Sequence, residues 1–426
     1  MIKTQLLTVN AIGSVLAGAN LTGVLRETWR KNAMLSSQQR GAIQDLAYGV
    51  LRYYSQLDAL LKSLLHKPLP DKRLHYLLLV SLYQLNYSKA PVHAIVNHAV
   101  SSARMLAGNR GASGLVNAIL RNFIRQQEML LTQTKQDEAA RYAYPQWWID
   151  KLRQQYPQHY TGILLAGNQH PPMTLRVNQK QITVSDYQAR LQACAIDSEW
   201  LWGSALRLSR PVAVEQLPGF AEGLVSVQDA GAQLAAPLLD VGAGMRVLDA
   251  CAAPGGKSTH LMELADIKLT VMDKHEERLA MLQENFTRLK MPDYRLICGS
   301  ALEPSQWWDG QLFDRILADV PCSASGVVNR HPDIKWLRRP GDIEAFAQTQ
   351  RIMLRKLWPL LCREGKLLYA TCSIFSEENN LLVTEFLSDH EDASALPCTH
   401  ETIINHGQLL PSTRHDGFFY ALLQKN

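Results

Sequence analysis

Long apolar runs are missing from this sequence. No stretch comes near the ~18 uninterrupted apolar residues that a membrane-crossing helix needs, so a bilayer-spanning segment is not expected. The first residues, Met1-Ile2-Lys3-Thr4-Gln5, lack the apolar core and small-residue cleavage site of a secretory signal. Cysteine is sparse and unpaired. The seven residues Cys194, Cys251, Cys298, Cys322, Cys362, Cys372 and Cys398 are odd in number, scattered and free of any C-x-x-C spacing. That argues against a disulfide scaffold and against a zinc ribbon. His275-Glu276-Glu277 begins like a zincin helix, but the motif requires His at 279 and the chain has Leu279, so no metal is expected. Free thiols and no export signal point to a reducing cytoplasm.

The chain has 426 residues, of which 46% are hydrophobic and 19% charged. It can therefore bury ordinary cores, and at roughly 150 residues per domain it divides into two or three. The net charge of +5 is unevenly spread. Residues 1–150 hold 17 Lys+Arg against 8 Asp+Glu, which leaves 27 against 31 for the rest. The whole positive excess lies in the first third, where either a polyanion contact or simply solvated helix faces would place it.

Residues 1–145 read as helical. Ala42, Ile43, Leu46, Val50, Leu51, Tyr54, Leu57, Leu60 and Leu61 recur at three- and four-residue steps. Similar periods run through Leu74–Leu85, Val92–Leu106 and Ala112–Ile124, with Pro68, Pro70 and Pro91 between them. Polar faces of this bundle carry Arg104, Arg110, Arg121 and Arg125. Residues 146–223 read as a small α+β module: a strand at Met173–Val177, a helix at 185–193 and extended pieces near 199–208 and 212–217. The aromatics Tyr144, Trp147, Trp148, Tyr156 and Tyr160 are read as packing between domains rather than as a base-stacking platform. Residues 224–426 alternate apolar strands (Arg246–Ala250, Leu269–Asp273, Tyr294–Cys298, Phe313–Val320, Lys366–Thr371) with helices at 275–290 and 342–361. This is the pattern of a doubly wound α/β domain. Pro411 and Asp416-Gly417 split the tail, 403–424, into two extended segments of an antiparallel hairpin.

The first of these strands leads into Cys251-Ala252-Ala253-Pro254-Gly255-Gly256-Lys257-Ser258. Glycines there let a ligand approach backbone at a helix N-terminus. A Walker A loop fits Gly256-Lys257-Ser258 but demands Gly at 251, and the dinucleotide spacing G-x-G-x-x-G is absent. A nucleoside-type cofactor remains, with Asp273 at the end of the next strand on its ribose hydroxyls; a helix N-cap is the competing role for Asp273.

Asp319-Val-Pro-Cys322 and Thr371-Cys372 end the fourth and fifth strands. Ligands of open α/β sheets bind outside the carboxyl ends of the strands, so both thiols and Asp319 should meet the 251–257 loop. Cys194, Cys298, Cys362 and Cys398 are read as buried packing residues. A thiol pair at strand mouths suits methylation of a pyrimidine at C5. That carbon is too weak a nucleophile until a thiolate adds at C6, which is covalent catalysis. Spacing alone does not rank the two thiols.

Val227-Gln228-Asp229, Asp249–Lys257, Asp319-Val-Pro-Cys322-Ser, Arg330-His-Pro-Asp333, Ala370-Thr-Cys372-Ser and Asp416-Gly-Phe-Phe419 together resemble, in order, the Sun/Fmu-type RNA (cytosine-5)-methyltransferases. The likeness covers about 224–426. The helical N-terminus, with Gly114-Leu-Val-Asn-Ala-Ile-Leu-Arg121, looks like the NusB-like RNA-binding domain of a bacterial branch of that family. The resemblance implies a Rossmann-like methyltransferase domain preceded by an all-α NusB-like domain and the α+β module. It implies S-adenosylmethionine as cofactor, contacted by Cys251, Ala252, Ala253, Pro254, Gly255, Gly256, Lys257, Asp273 and Asp319. It also implies Cys372 as nucleophile, Cys322 as a helper of product release, and small-subunit (16S) ribosomal RNA as partner; the sequence leaves the oligomeric state open, with a monomer favoured. Two positions depart from the family's pattern: Gly299-Ser300 replaces the usual Gly-Asp after the third strand, and Asp319-Val-Pro-Cys the commoner Asp-Ala-Pro-Cys.

Overall fold

A computed structural model describes every residue except 70, 108, 109, 405 and 406, and of residue 110 the backbone alone. Pro70 and the side chain of Arg110, both singled out above, thus lie outside the described residues. The chain forms two compact units, one of residues 1–169 and 328–340 and one of residues 170–327 and 341–426.

The first unit is helical, as the three- and four-residue periodicity requires. Its long helices are Ile2–Leu16, Leu21–Lys31, Ser37–Arg52, Tyr54–Leu64, Lys72–Tyr87, Val92–Ala107 and Arg110–Thr134. Local chemistry fixes several starts: Asn20 and Asp71 cap with their side chains, and Ser36 with Gln39 closes a capping box. Val50, Leu57, Leu60, Leu61, Leu77 and Leu78 are fully buried in one core. Tyr144 and Trp148 pack on each other inside this unit, ring centroids 5.9 Å apart. The inserted segment 328–340 is tied in by Lys335. Its buried ammonium donates to the carbonyls of Arg52 and Ala143 and to Oδ1 of Asn168 at 2.7–2.9 Å.

The second unit begins with an antiparallel sheet of β1 (Thr174–Val177), β2 (Ser198–Trp202), β3 (Ala205–Leu208) and β4 (Val225–Val227), in the order β2-β3-β1-β4. The helix Val184–Ala193 contributes Tyr187 and Leu191 to its core with Leu175, Val177 and Leu206. The extended piece expected at 212–217 is instead a turn of 3₁₀ helix, Val214–Gln216, because Gln216 folds back to accept from the Ala213 amide.

The larger sheet comprises β5 (Arg246–Asp249), β6 (Lys268–Asp273), β7 (Tyr294–Cys298), β8 (Phe313–Asp319), β9 (Leu361–Thr371), β10 (Ala393–Leu396), β11 (Gln408–Leu409) and β12 (Phe418–Lys425). Its order is β10-β12-β9-β8-β5-β6-β7, with β11 paired to β12. Neighbours among β5–β9 run parallel, and β12 runs antiparallel to β9. The expected tail hairpin is β11–β12, and β12 inserts between β9 and the unanticipated edge strand β10. The chain reverses its direction of winding between β5 and β8, which is where open α/β sheets form their crevice. Among the described residues no helix is long and apolar enough to cross a membrane.

Candidate active site

The parallel ladder sets the positions of the predicted residues. Asp249 pairs in register with Val271 and Leu317, Asp273 with Cys298, and Asp319 with Ala370. The carboxyl ends of four adjacent strands therefore bring Asp249, Asp273, Asp319, Cys322 and Cys372 to one edge.

The loop after β5 turns back over that edge. Ala252 N–H donates to the Met272 carbonyl at 2.9 Å, and the Ala253–Pro254 bond is cis. Gly255 has φ +94°, and a Cβ there would come within 3.1 Å of Leu282. Only glycine takes that turn without strain, and it starts the helix Gly256–Leu264. Asp273 Oδ2 accepts from the Ala253 amide at 3.3 Å and Oδ1 from the His275 amide at 3.1 Å. The following helix is not capped by Asp273: its N-cap is His275.

Charges in the loop are arranged around Lys257. Its ammonium lies 2.5 Å from Asp319 Oδ2 and 5.4 Å from the Phe418 ring centroid. Burial works against that charge, but Asp319 outweighs it and raises the lysine's pKa above the usual value. A lysine held by a carboxylate is no phosphate-cradling lysine, which removes the Walker-type reading. Asp249 Oδ2 accepts from Ser258 Oγ at 2.6 Å, while its buried Oδ1 is left without a hydrogen bond. Burial pushes this carboxyl up to about 7.

The two thiols touch: Cys322 Sγ and Cys372 Sγ are 3.4 Å apart. The hydrogen bond to Cys372, with burial, pushes the Cys322 thiol far up, so it is a protonated thiol at neutral pH. Gly326 N–H donates to the Cys372 carbonyl at 2.8 Å and Gly417 N–H to the Gly326 carbonyl at 2.8 Å, so the loops after β8, after β9 and before β12 lean on one another. Asp229 accepts from the Asp416 amide at 3.1 Å, which joins two further motifs to the same edge. The motif Arg330–Asp333 lies in the segment 328–340. It belongs to the first unit, where Asp333 Oδ2 accepts from the Leu21 amide at 2.9 Å.

Two expectations about other cysteines are corrected. Cys194 and Cys298 are exposed, the first closing the helix Val184–Ala193 and the second ending the edge strand β7, where little covers them. Ser300, in place of the family's usual aspartate, directs its hydroxyl to its own loop and accepts from the Leu302 amide at 3.2 Å.

Sequence reasoning assigned no role to Arg176, on β1. Fully buried, it pairs with Glu263 at 2.6 Å and donates to Thr259 Oγ1, Gln228 Oε1 and the Gly256 carbonyl. It thereby fixes the helix that carries Lys257. An arginine within an apolar strand, followed 87 residues later by a glutamate on an otherwise buried helix face, was the available signal. No group of three or more candidate ligands for a metal occurs among the described residues.

A profile of the 16S rRNA methyltransferase RsmB/F family matches residues 236–424, that of its ferredoxin-like domain residues 144–215, and that of the NusB family residues 3–125. The ribosomal RNA small subunit methyltransferase B of Vibrio cholerae is 44% identical over 406 residues, covering 92% of this chain and 93% of its own length. The crystal structure of PH0851 matches all of this chain and 99% of its own with a TM-score of 0.80 at 22% identity, a likeness of fold. A methyltransferase homolog from Pyrococcus horikoshii, 27% identical, matches 68% of this chain and 98% of its own with a TM-score of 0.61. With identity this high along nearly its whole length, and with the Rossmann-like sheet, the ferredoxin-like module and the helical N-terminus all in place, the chain belongs to the RsmB/F family of 16S ribosomal RNA methyltransferases.

Proposed function

We propose that this chain methylates C5 of a cytidine in small-subunit ribosomal RNA, through a transient bond between Cys372 Sγ and ring carbon C6. The observation that carries the reading is the thiol pair, 3.4 Å apart at the mouths of adjacent parallel strands and beside the Lys257–Asp319 ion pair. S-adenosylmethionine, the cofactor of the family, supplies an electrophilic methyl group on a cationic sulfur when bound. The residues present fit it. Asp273, whose Oδ2 also lies 3.3 Å from Arg278, offers a carboxylate to a vicinal diol, and the glycine-opened backbone of Cys251–Lys257 admits a close ligand beside the Lys257–Asp319 pair.

The chain's own residues then divide the work. Cys372 Sγ forms a bond to C6, which pushes electron density to C5 and lets it take the methyl group. Lys257 brings a positive charge into electrostatic range of Cys372. A base then takes the C5 proton, the C5–H electrons form the C5=C6 double bond, and the Cys372–C6 bond breaks with its electron pair leaving on sulfur. Cys322, still carrying its proton, assists that release as a proton donor to the departing sulfur. The basic helical region, residues 1–145, holds RNA by its phosphates, the module 146–223 links, and 224–426 reads one exposed base; a paired cytidine must first be extruded. The cytoplasm is the compartment that suits the substrate and the free thiols.

Incubating the protein with labelled methyl donor and small-subunit ribosomal RNA, followed by bisulfite sequencing, tests this. One protected cytidine that becomes unprotected in cells lacking the protein is expected; label on another base, or on no RNA, would overturn it.

A further inference from the structure

Beneath the two thiols lies a carboxylate that the methyl-transfer chemistry leaves without a task. Glu378 is fully buried, in a short turn that follows β9. One carboxylate oxygen accepts from the Ser323 amide at 2.8 Å and from Gln350 Nε2 at 3.0 Å. The other accepts from the hydroxyls of Ser323 and Ser373, each at 2.5 Å. Ser323 is the neighbour of Cys322, and Ser373 the neighbour of Cys372. The two hydroxyls lie 3.1 Å apart, and Gln350 also donates to the carbonyl of Pro321 at 2.9 Å. Among the described residues no Lys or Arg nitrogen pairs with Glu378. A buried carboxylate without a countercharge costs stability unless hydrogen bonds surround it, and here those bonds converge from the two thiol-bearing loops.

We propose that Glu378 is a positioning residue for the thiol pair: its carboxylate ties the loop of Cys322 to the loop of Cys372 and so sets the approach of the two sulfurs. The inference concerns the geometry of the pair, and its catalytic consequence rests on the reading above.

Closure of a Cys322–Cys372 disulfide by diamide reads the geometry directly. Two thiols lose two protons and two electrons, and the diazene is reduced to a hydrazine. Peptide mass spectrometry counts the linked fraction with time, and calorimetric donor binding together with the thermal transition reports integrity. In Glu378→Ala, closure is expected to slow at least tenfold and kcat to fall at least tenfold, with donor affinity held within about twofold. Glu378→Gln keeps an accepting oxygen and should restore most of both. If Glu378→Ala does not fold, Ser373→Ala cuts the same tie on one side and should slow closure severalfold. Closure at the wild-type rate in the folded variant, whichever of the two it is, overturns the inference. Failure of the catalytic reading has a separate signature: methyl transfer that survives Cys372→Ala, whatever the rate of disulfide closure.

Discussion

Cys322 and Cys372 carry the same functional group, and their surroundings separate them. Cys322 is held protonated by its contact with Cys372 and by burial, whereas Lys257 extends its charge toward Cys372. Replacement of Cys322 by alanine should therefore leave attack intact and impair release. A protein–RNA adduct should persist on a denaturing gel, with turnover reduced roughly 100-fold, the lower range for a lost proton-transfer group; full turnover without an adduct would remove its assigned role. Asp249 makes a prediction in pH. Its folded value of about 7 lies above the ordinary 3.8, so the folded state holds the proton longer. The associated stability is complete below about pH 4 and is lost as pH rises toward 7, by roughly 4 kcal/mol at ~1.36 kcal/mol per pH unit. Asp249→Asn should flatten that decline in chemical denaturation; an unchanged slope would contradict the assignment. Much at this scale was legible beforehand, because motif residues sit at strand ends where neighbours in register are fixed. Glu378 and Arg176 were not, since nothing in a sequence tells which buried carboxylate meets which loop.

Elements fix the site by leaning on one another. Arg176 reaches from β1 to hold the helix Gly256–Leu264 through Glu263 and Thr259. Arg176→Ala leaves Glu263 buried without its partner, which costs roughly 3–5 kcal/mol. A lower Tm and at least tenfold weaker donor binding are expected, and calorimetry with unchanged affinity would show that the helix holds its place alone. Gly326 lies against Gly417 so closely that a Cβ would come within 2.3 Å of the Gly417 carbonyl oxygen. Gly326→Ala must push the loops after β8 and before β12 apart, and methyl transfer should fall at least tenfold with the overall fold retained by circular dichroism. The parallel strands were readable because each is an apolar run bounded by turn residues. The edge strand β10 was not: Ala393–Leu396 is short, carries no alternation and takes its strand pairing from β12. The expected extension at 212–217 failed for the same kind of reason, a single glutamine side chain capping a turn.

At the scale of the whole molecule, charge divides more sharply than its sum suggests. Residues 1–150 hold the entire positive excess, and Arg104, Arg121 and Arg125 are exposed there, while the remainder is slightly acidic. Phosphate binding releases counterions, so affinity for RNA should fall steeply with salt. Removing Arg121 and Arg125 together should weaken binding about tenfold at low salt and reduce the slope by about 1.5, at ~0.7 per phosphate contact on single strands. An unchanged slope would place the polyanion elsewhere. The helical, mixed and α/β stretches were legible in order, from periodicity and from motif residues; the capture of residues 328–340 by the helical unit was not, because Lys335 there reads as an ordinary surface lysine until its three acceptors are seen. The central claim is the bond from sulfur to the ring. Its most direct measurement is peptide mass spectrometry of the protein trapped, in the presence of S-adenosylmethionine, on ribosomal RNA bearing 5-fluorocytidine. The account predicts a nucleotide attached to Cys372 and none in Cys372→Ala; attachment to Cys322, or no attachment in the wild-type protein, would contradict it.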